Sequence, residues 1–549
     1  MTKDQFCISF SLFFLTLVAM FAVACSQDSG VEIQASEATT EATAEATTEA
    51  TTEATTEATT EAIPIRTLRI AVPNRFLSET TRDILLEEIF LHQLYVGLTR
   101  IDSGGKLVPE MIVALPTREN EGISSDGLTY TFLLNRDLKW SDGGTLSAGQ
   151  ILETLISYDS VKEQNVEWLE VFNKLDLTQS MAIDSRTLIL KLREPSAEFL
   201  TLSARLPFLP VRSGSTDEGI YFISNGPFQL DSWSRDRVGL TPNELWSDRI
   251  GNIESHEIDR LEFVGFESFS AAKEAFSNDE IDALSLTVSQ ALDDPALAAE
   301  SMIHEKPRHI TYGVFVNSQS TPFSAVESRQ ALALGLNKQK LLDLLSDEIQ
   351  KGYTYTDSWI PPGIFGNNNS AGLSLSESEE LATDYWARGL NDEDIRIELL
   401  YSSDESLHAE LAIELEKLWE KKLPVQVNLR PEKAEEYFAD LKTGRYQLAI
   451  GGWHGDYPDT SNWLRPFISD SEDNFLNFAD EKYDAFLQAA EVARDENEKF
   501  SKYADAHKYL IEQSVIIPML HPVSLALVRS EFRAAVNTMF DFQGAWTFD

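Results

Sequence analysis

Cysteine is almost absent from this 549-residue chain. Its two cysteines, Cys7 and Cys25, both lie within the first 25 residues, so the rest of the chain contains no thiol. Disulfide bonds and thiolate metal sites are therefore excluded after Cys25. Histidine is also scarce: the eight residues are scattered, and no second histidine lies near His454 and Asp456. These absences argue against a metal centre, and we expect neither a metal nor another cofactor.

Positive charge is the second shortage. The chain has 45 lysines and arginines against 89 aspartates and glutamates, which gives a formal net charge of −44. Binding to nucleic acid or to an anionic membrane surface needs clustered basic residues, so the composition excludes both. The apolar fraction of 43% is ordinary for a globular protein, and the length leaves room for two or three domains. The acidic surface either serves solubility or favours cationic ligands.

Recognisable catalytic motifs are missing as well. The chain contains no Gly-x-Ser-x-Gly elbow, no His-Glu-x-x-His and no phosphate-binding loop of the P-loop type. Asp456 and Asp459 do not suit a glycosidase, because they share one loop and the two carboxyls of a glycosidase flank the scissile bond. The sequence therefore predicts a binding protein and not an enzyme. An extracytoplasmic hydrolase is the alternative, which turnover assays on peptides and glycosides would test.

The N-terminus has the features of an export signal. Residues 1–24 contain the apolar run Phe6–Ala24, which ends in Ala-Val-Ala directly before Cys25. This arrangement resembles the lipobox of bacterial lipoproteins, and the resemblance implies that Cys25 is lipid-modified and becomes the mature N-terminus. Two features depart from the pattern: Lys3 is the one basic residue before the apolar run, and Ala22 stands where leucine is preferred. An uncleaved membrane anchor is the alternative.

Residues 25–65 are predicted to form a disordered tether. Within them, Glu37–Ala62 repeats a Glu-Ala-Thr-Thr unit. A helix would stack the glutamates at i and i+4, where like charges repel, and threonine is a poor helix former. The repeat also has no apolar face to bury, so we expect an extended, self-repelling segment that holds the folded part away from a surface.

Strands and helices alternate in the folded part of the chain. Thr67–Val72 is predicted as a strand and Asp83–Leu98 as a helix, followed by an alternating strand at Leu128–Leu134. Asp142-Gly143 marks a turn, and Ser147 is placed to cap the next helix. Such interleaving predicts an α/β fold.

The loop Gly451–Thr460, with the sequence GGWHGDYPDT, is the strongest candidate for a ligand site. It follows an apolar run, Tyr446–Ile450, that reads as a buried strand, and ligands in open α/β sheets bind where strands end. Glycines remove bulk so that backbone or ligand can approach closely. Trp453 beside the carboxylate of Asp456 suits a cationic, partly apolar ligand. The alternative is a turn in which aspartates cap backbone N–H groups and the tryptophan is core.

Several ordered segments resemble the family 5 solute-binding proteins, which are receptors of bacterial import systems for peptides, dipeptides and nickel. The matching segments are Asp126–Leu155, Ser224–Trp233, Ala275–Leu284, Tyr312–Asn317, Trp359–Gly363, Gly451–Thr460 and Val515–Leu520. The chain departs from the family pattern at four places. Asn135 replaces arginine, Gln150 replaces aspartate, Asn278-Asp279 stands where glycine is usual and Thr460 replaces proline. We interpret Asn135 and Gln150 as surface changes.

This resemblance implies an α/β, two-lobed clamshell of the type II, large peptide-binding subclass of periplasmic binding proteins. The second lobe is inserted in the first, so the expected division is lobe I at residues 66–311 and 521–549, and lobe II at residues 312–520. The strands Tyr312–Asn317 and Val515–Leu520 would then connect the lobes and act as a hinge. Trp140, Trp359 and Trp419 are expected in the core.

The same resemblance implies the site residues. Asp456 would bind the free amino group of a peptide, and Trp453 would line the pocket for the first side chain. Asn225 and Gly226 would line the cleft from lobe I, and Tyr312 and Phe315 would line it beside the hinge. Each of these residues also has a structural alternative. Asp456 could cap its own turn, Asn225-Gly226 could be a plain turn, and Tyr312 and Phe315 could belong to the core.

The function implied by the resemblance is that of a lipid-anchored, extracytoplasmic receptor. It would capture a peptide-like solute by lobe closure and deliver it to the permease of an ABC importer, acting as a monomer. A receptor for a non-peptide solute, such as an oligosaccharide, an opine or a metal chelate, is one alternative. A surface sensor or adhesion module without transport is another.

Overall fold

The computed structural model describes most of the chain after residue 65. The described residues are 66–73, 92–102, 106–160, 171–196, 198–204, 208–210, 212–216, 219–234, 236–247, 258–293, 303–367, 378–389, 395–455, 457–471, 473–493 and 495–539. The predicted signal, Cys25, the tether and Asp456 lie outside them. Among the described residues, no helix has the length and apolar character that crossing a membrane would require.

Nineteen strands are present in the described residues. They are β1 (Thr67–Pro73), β2 (Thr99–Ile101), β3 (Leu107–Pro109), β4 (Thr129–Leu133), β5 (Met181–Ala182), β6 (Thr187–Lys191), β7 (Arg212–Thr216), β8 (Gly219–Ile223), β9 (Phe228–Ser234), β10 (Arg237–Pro242), β11 (Arg260–Phe266), β12 (Ala283–Leu286), β13 (Ile303–Pro307), β14 (Ile310–Val316), β15 (Tyr353–Tyr355), β16 (Ile395–Ser402), β17 (Val425–Glu432), β18 (Leu448–His454) and β19 (Ile516–Val528).

The α-helices of the described residues lie between these strands. They are α1 (Ala148–Asp159), α2 (Phe199–Leu202), α3 (Glu244–Ser247), α4 (Phe269–Ser277), α5 (Val288–Asp293), α6 (Val326–Leu334), α7 (Lys338–Leu344), α8 (Asp347–Gly352), α9 (Glu379–Gly389), α10 (Ser406–Lys422), α11 (Ala434–Thr443), α12 (Thr460–Leu464), α13 (Glu481–Glu491), α14 (Glu496–Glu512) and α15 (Arg533–Met539). Short 3₁₀ turns follow at Arg465–Phe467 and Ser530–Phe532.

One 12-stranded mixed sheet runs through the molecule, in the main order β17-β16-β18-β14-β19-β12-β1-β11-β10-β9. The long strand β19 joins its two halves. The first part of β19 pairs with β14, from Ile516 opposite Phe315 to Leu520 opposite Tyr312. The last part of β19 pairs with β12, where Val528 lies opposite Ala283. β13 also pairs with this last part, so β13, β14 and β19 run side by side between the two halves.

The central strands are nearly continuous apolar runs because other parts of the protein cover both of their faces. In β14, Val314 belongs to one hydrophobic core group and Phe315 to another on the opposite face. Strands buried on both sides lose the alternating pattern of half-exposed strands. Trp140, Trp359 and Trp419 are all fully buried, which confirms their predicted place in the core.

Most predicted strands are confirmed, with shifted ends. β18 differs most: Gly451–His454, predicted as loop, continue the strand because they pair with Ile310–Gly313 of β14. The predicted helix Asp83–Leu98 lies largely outside the described residues. Its last part is wrong, since Tyr95–Leu98 are not helical and Leu94 O instead accepts the backbone N–H of Gly226 at 2.8 Å.

The capped helix is confirmed as α1, and Gln150 has a clear role in it. Ser147 and Gln150 form a capping box, in which Gln150 Oε1 accepts the backbone N–H of Ser147 at 3.0 Å. Asn135 Nδ2 donates to the carbonyl of Glu110 at 3.1 Å. Both residues are partly exposed, and each side chain in addition makes a specific structural hydrogen bond.

Candidate functional site

The end of β18 offers backbone groups that no neighbouring strand covers. On one side β18 pairs with β14 along its whole length, from Leu448 to His454. On its other side β16 pairs with it only at Leu448 and Ala449. Gly451–Trp453 therefore have an edge with which no strand of the described residues pairs, and Gly452 is exposed there. We call this segment the β18 edge.

The glycines of this region leave room for the side chains of the protein itself. A Cβ on Gly451 would lie 2.4 Å from Phe315 Cε2, and one on Gly455 would lie 2.0 Å from the ring of Trp463. Distances this short are incompatible with van der Waals packing. Gly451 and Gly455 are thus required by internal packing against side chains, whereas the sequence argument assigned the glycines to close approach by backbone or a ligand. Gly452 remains the exposed glycine of the three.

Trp453 is held in a defined orientation beside the β18 edge. Its Nε1 donates to Asn462 Oδ1 at 3.0 Å, and its ring packs edge-on against Phe467 with centroids 6.4 Å apart. Asn462 belongs to α12, which begins after Asp459. The half-buried indole is therefore fixed on one side by protein and retains some exposed surface, as a ligand-contacting aromatic residue requires.

Asp459 has a structural role in the same loop. It is fully buried and caps α12, since its Oδ1 accepts from the backbone N–H of Ser461 at 2.8 Å and from Ser461 Oγ at 2.7 Å. Its Oδ2 accepts from Thr201 Oγ1 of α2 at 2.7 Å. All three contacts are made within the protein, so Asp459 positions the loop. The role of Asp456, outside the described residues, stays a prediction.

Tyr312 and Phe315 lie on opposite faces of β14. Tyr312 is partly exposed and its ring lies beside Gly452, with ring centroids 6.0 Å from both Tyr353 and His408. Burial raises the pKa of the Tyr312 hydroxyl, so it is protonated at neutral pH. Phe315 is 1% exposed and packs against Trp359 in the core. Direct ligand contact by either residue stays a prediction, and the surface of Tyr312 fits it better.

Asn225 and Gly226 bind the segment Leu94–Val96 in the other half of the sheet. Asn225 is buried: its Oδ1 accepts from the Val96 N–H at 3.3 Å, and its Nδ2 donates to the Val96 carbonyl at 3.0 Å. A Cβ on Gly226 would lie 2.8 Å from the Leu94 carbonyl. The pair therefore secures this segment, and its predicted ligand contact stays a prediction.

A buried ion cluster, which sequence reasoning did not find, connects the predicted lobes. Glu198 is fully buried next to α2, with Lys174 Nζ at 2.8 Å and Arg465 Nη1 at 3.9 Å. Burial raises the pKa of Glu198, but the charges of Lys174 and then Arg465 outweigh it and bring the pKa to about 2. Arg465 also pairs with Glu491. No local pattern marks these residues, because Glu198 and Arg465 are far apart in sequence.

The described residues contain no group of three or more histidines, cysteines, aspartates or glutamates placed to hold a metal ion. The site consists instead of the β18 edge, the oriented indole of Trp453, and the loop after β18, in which Asp459 forms a hydrogen bond with Thr201.

The chain is similar to proteins of known family and fold. A profile of the bacterial extracellular solute-binding proteins, family 5 (middle region), matches residues 112–475. The oligopeptide-binding protein OppA of Bacillus subtilis is 23% identical over 461 residues, which cover 78% of this chain and 82% of OppA. The probable deoxycholate-binding periplasmic protein YgiS of Escherichia coli is 24% identical over 487 residues, which cover 83% of this chain and 86% of YgiS. The unliganded open form of MppA, a periplasmic murein tripeptide binding protein, superposes with a TM-score of 0.71 at 20% sequence identity. The superposition covers 85% of this chain and 94% of MppA.

The fold is thus the mixed α/β fold of the type II periplasmic-binding clamshell, as the sequence predicted. The chain belongs to the bacterial extracellular solute-binding proteins of family 5. Members of this family are binding proteins, so this protein is a solute-binding protein and not an enzyme.

Proposed function

We propose that the protein is an extracytoplasmic receptor that captures a peptide-like solute and delivers it to the permease of an ABC importer. The β18 edge is the observation that carries this proposal. An extended peptide satisfies its own backbone groups and those of a sheet edge when it adds as a further strand. Gly452 leaves that edge accessible, and Trp453 offers an apolar surface for a side chain of the solute.

Asp456 is proposed to bind the amino group of the peptide. A carboxylate forms a strong charge-assisted hydrogen bond with an ammonium group. The flanking positions are well anchored: Gly455 N–H donates to His309 O at 2.9 Å, and Tyr457 is buried in the core group of lobe I. A loop held on both sides loses little conformational freedom when the solute binds, which favours affinity.

The division into lobes supports capture by closure. We place lobe I at residues 66–311 and 521–549 and lobe II at residues 312–520. The boundaries fall within β14 and β19, which run antiparallel to each other between the two halves of the sheet. Two adjacent connecting strands form a hinge about which the lobes close as rigid bodies.

Attachment to the membrane is proposed to occur through lipid on Cys25. The tether at residues 25–65 would then hold a monomeric receptor within reach of its permease. Relatives support an extracytoplasmic location, since YgiS is named as a periplasmic protein.

Mass spectrometry of the solute released from the purified, denatured full chain tests the proposed function. We expect peptides with a free N-terminus. Recovery of a bile salt, a sugar or a metal chelate in stoichiometric amount would overturn the peptide assignment and favour a non-peptide solute, the alternative that the name of YgiS supports.

A further inference from the structure

Asn462 of α12 provides the acceptor for the indole of Trp453. A tryptophan Nε1–H is a donor only, so the Asn462 atom at 3.0 Å from it is the amide oxygen Oδ1. Asn462 is 6% exposed and Trp453 is half-buried, so the bond is largely shielded from water. The two residues are nine positions apart, and the proposed amine-binding loop lies between them. The bond therefore connects the end of β18 to α12 across that loop.

The indole of Trp453 also makes apolar contacts, which limit its space without selecting its orientation. Its ring packs edge-on against Phe467 and against the core group that contains Trp359 and Trp463. Apolar attraction is non-directional, whereas a shielded N–H that loses its acceptor raises the free energy. The hydrogen bond to Asn462 therefore selects the orientation in which Nε1 points at α12. That orientation determines which edge of the ring is left for a solute.

The position of Asn462 depends on the anchors of α12, because a helix of five residues is not stable by itself. Its start is held by the carboxylate of Asp459, which accepts from the backbone N–H and the hydroxyl of Ser461. Its end is held by Trp359, whose Nε1 donates to the carbonyl of Trp463 at 3.0 Å. These bonds fix α12, and with it Asn462, within the predicted lobe II.

One further anchor of α12 comes from the predicted lobe I. Thr201 Oγ1 of α2 donates to Asp459 Oδ2 at 2.7 Å, and both side chains are buried. The hydroxyl thus binds the carboxylate oxygen that the cap of α12 does not use. A change in the position of α2 therefore acts on the start of α12 and, through Asn462, on the indole. We call Thr201, Asp459, Asn462 and Trp453 the α12 linkage.

We propose that Asn462 is a positioning residue of the solute site: it fixes the orientation of Trp453, and the bond between Thr201 and Asp459 ties that orientation to lobe I. The preference of the receptor for the first side chain of a peptide is then set by the α12 linkage as well as by the residues that contact the solute. Asn462 itself needs no contact with the solute. This inference rests on the proposed function, since it takes Trp453 to line the pocket for that side chain.

Fluorine NMR of the full chain, purified in detergent and labelled with 5-fluorotryptophan, tests the orientation without a solute. Trp453→Phe identifies the signal of Trp453 among those of the ten tryptophans. Asn462→Leu removes the acceptor at nearly constant size and should shift or broaden this signal, whereas Asn462→Asp keeps the acceptor and should preserve it. Asn462→Ala is the second acceptor-free variant if the leucine variant does not fold. An unchanged signal in the acceptor-free variants, or the same change in Asn462→Asp, would overturn the inference.

The link to lobe I is tested with the same signal. Thr201→Val removes the hydroxyl that binds Asp459 and should shift the signal of Trp453 by a smaller amount. Thr99→Val is the matched control, because it removes another buried hydroxyl that contacts α2, through Ser203 at 2.7 Å, without reaching α12. It should leave the signal unchanged. No shift in Thr201→Val, or equal shifts in the two variants, would overturn the link to lobe I.

Titration calorimetry with the peptides Phe-Ala-Ala and Ala-Ala-Ala measures the consequence for selectivity. We expect Asn462→Leu to change the ratio of their two dissociation constants at least about threefold, and Asn462→Asp to keep it within about twofold of the wild type. In a Trp453→Phe background the ring has no N–H, so Asn462→Leu should change the ratio by less than about twofold. A purely structural role of Asn462 would change the ratio equally in both backgrounds.

The outcomes separate this inference from the proposed function. A ratio that Asn462→Leu leaves unchanged, or changes equally with and without Trp453, would overturn the inference and leave the proposed function intact. Failure of both peptides to bind the wild type would overturn the proposed function and the role in selectivity. The NMR signal of Trp453 then still decides whether Asn462 positions the indole.

Discussion

Replacing Glu198 by glutamine tests the ion cluster that joins the predicted lobes. Glu198 is fully buried between Lys174 at 2.8 Å and Arg465 at 3.9 Å, and glutamine preserves its size while removing its charge. The two cations then lose their shared anion inside the protein. Removing one partner of a buried ion pair is strongly destabilising, because it leaves a buried charge uncompensated.

The magnitude follows from the pKa of the Glu198 carboxyl. Its pKa is about 2 in the folded protein, against an ordinary value of 4.5. Because the folded pKa is the lower one, ionised Glu198 stabilises the folded state above pH 4.5, and this stabilisation is lost as the pH falls towards 2. The difference in pKa corresponds to about 3 kcal/mol at pH 7 and about 1 kcal/mol at pH 3.

Urea unfolding of the wild type and Glu198→Gln, followed by tryptophan fluorescence, measures both values. Glu110→Gln is a matched control, because Glu110 is also buried and paired, with Arg100 at 2.7 Å. Burial raises the pKa of Glu110, and the lowering effect of Arg100 is smaller. Folding therefore disfavours the ionised form of Glu110. We expect that removing this charge in Glu110→Gln does not lower the free energy of unfolding at pH 7.

The reasoning would be refuted by a loss in Glu198→Gln below about 1 kcal/mol at pH 7, or by a loss that is the same at pH 7 and pH 3. Equal losses in the free energy of unfolding of Glu198→Gln and Glu110→Gln would likewise show that the charges of Lys174 and Arg465 do not control the pKa of Glu198.

Three further predictions concern the site, the anchor and the packing of β18. Asp456→Asn should weaken binding of a peptide with a free amino group by about 3–5 kcal/mol in calorimetry. N-acetylation of the peptide should add little to that loss, because both changes remove the same contact. If the two effects add, Asp456 does not bind the amino group. Cys25→Ser should move the protein from the membrane to the soluble fraction in cell fractionation, whereas unchanged retention would exclude lipid anchoring at this residue. Gly451→Ala should lower the free energy of unfolding by about 1–3 kcal/mol, because its Cβ would lie 2.4 Å from Phe315. Gly149→Ala in α1 is the control and should be neutral or stabilising, since its nearest atom lies at 3.8 Å and alanine favours helices.

Local patterns of the sequence were sufficient to predict the class of fold and many of its elements. Apolar runs and turn residues located β1 and β4, because strand formation depends on patterns within a few residues, and the family resemblance indicated the strands at β14 and at the start of β19. Family-like segments in a constant order then indicated a clamshell binding protein, which the comparisons confirm.

The same patterns predicted where a site lies but not what each residue does there. Asp456 and Asp459 are both aspartates of one loop, and the sequence offers no way to separate a ligand carboxylate from a helix cap. The structure assigns Asp459 to capping α12 and bonding Thr201. That bond joins residues 258 positions apart, so only the tertiary fold brings them together.

The tertiary structure alone also decided the roles of Gly451 and Phe315. Gly451 is required because the ring of Phe315 fills the space beside it, and this contact arises from the pairing of β14 with β18. The sequence by itself determined which segments become strands and helices, since that choice is governed by nearby residues. Burial and pairing depend on residues far apart along the chain, and these properties were decided by the fold.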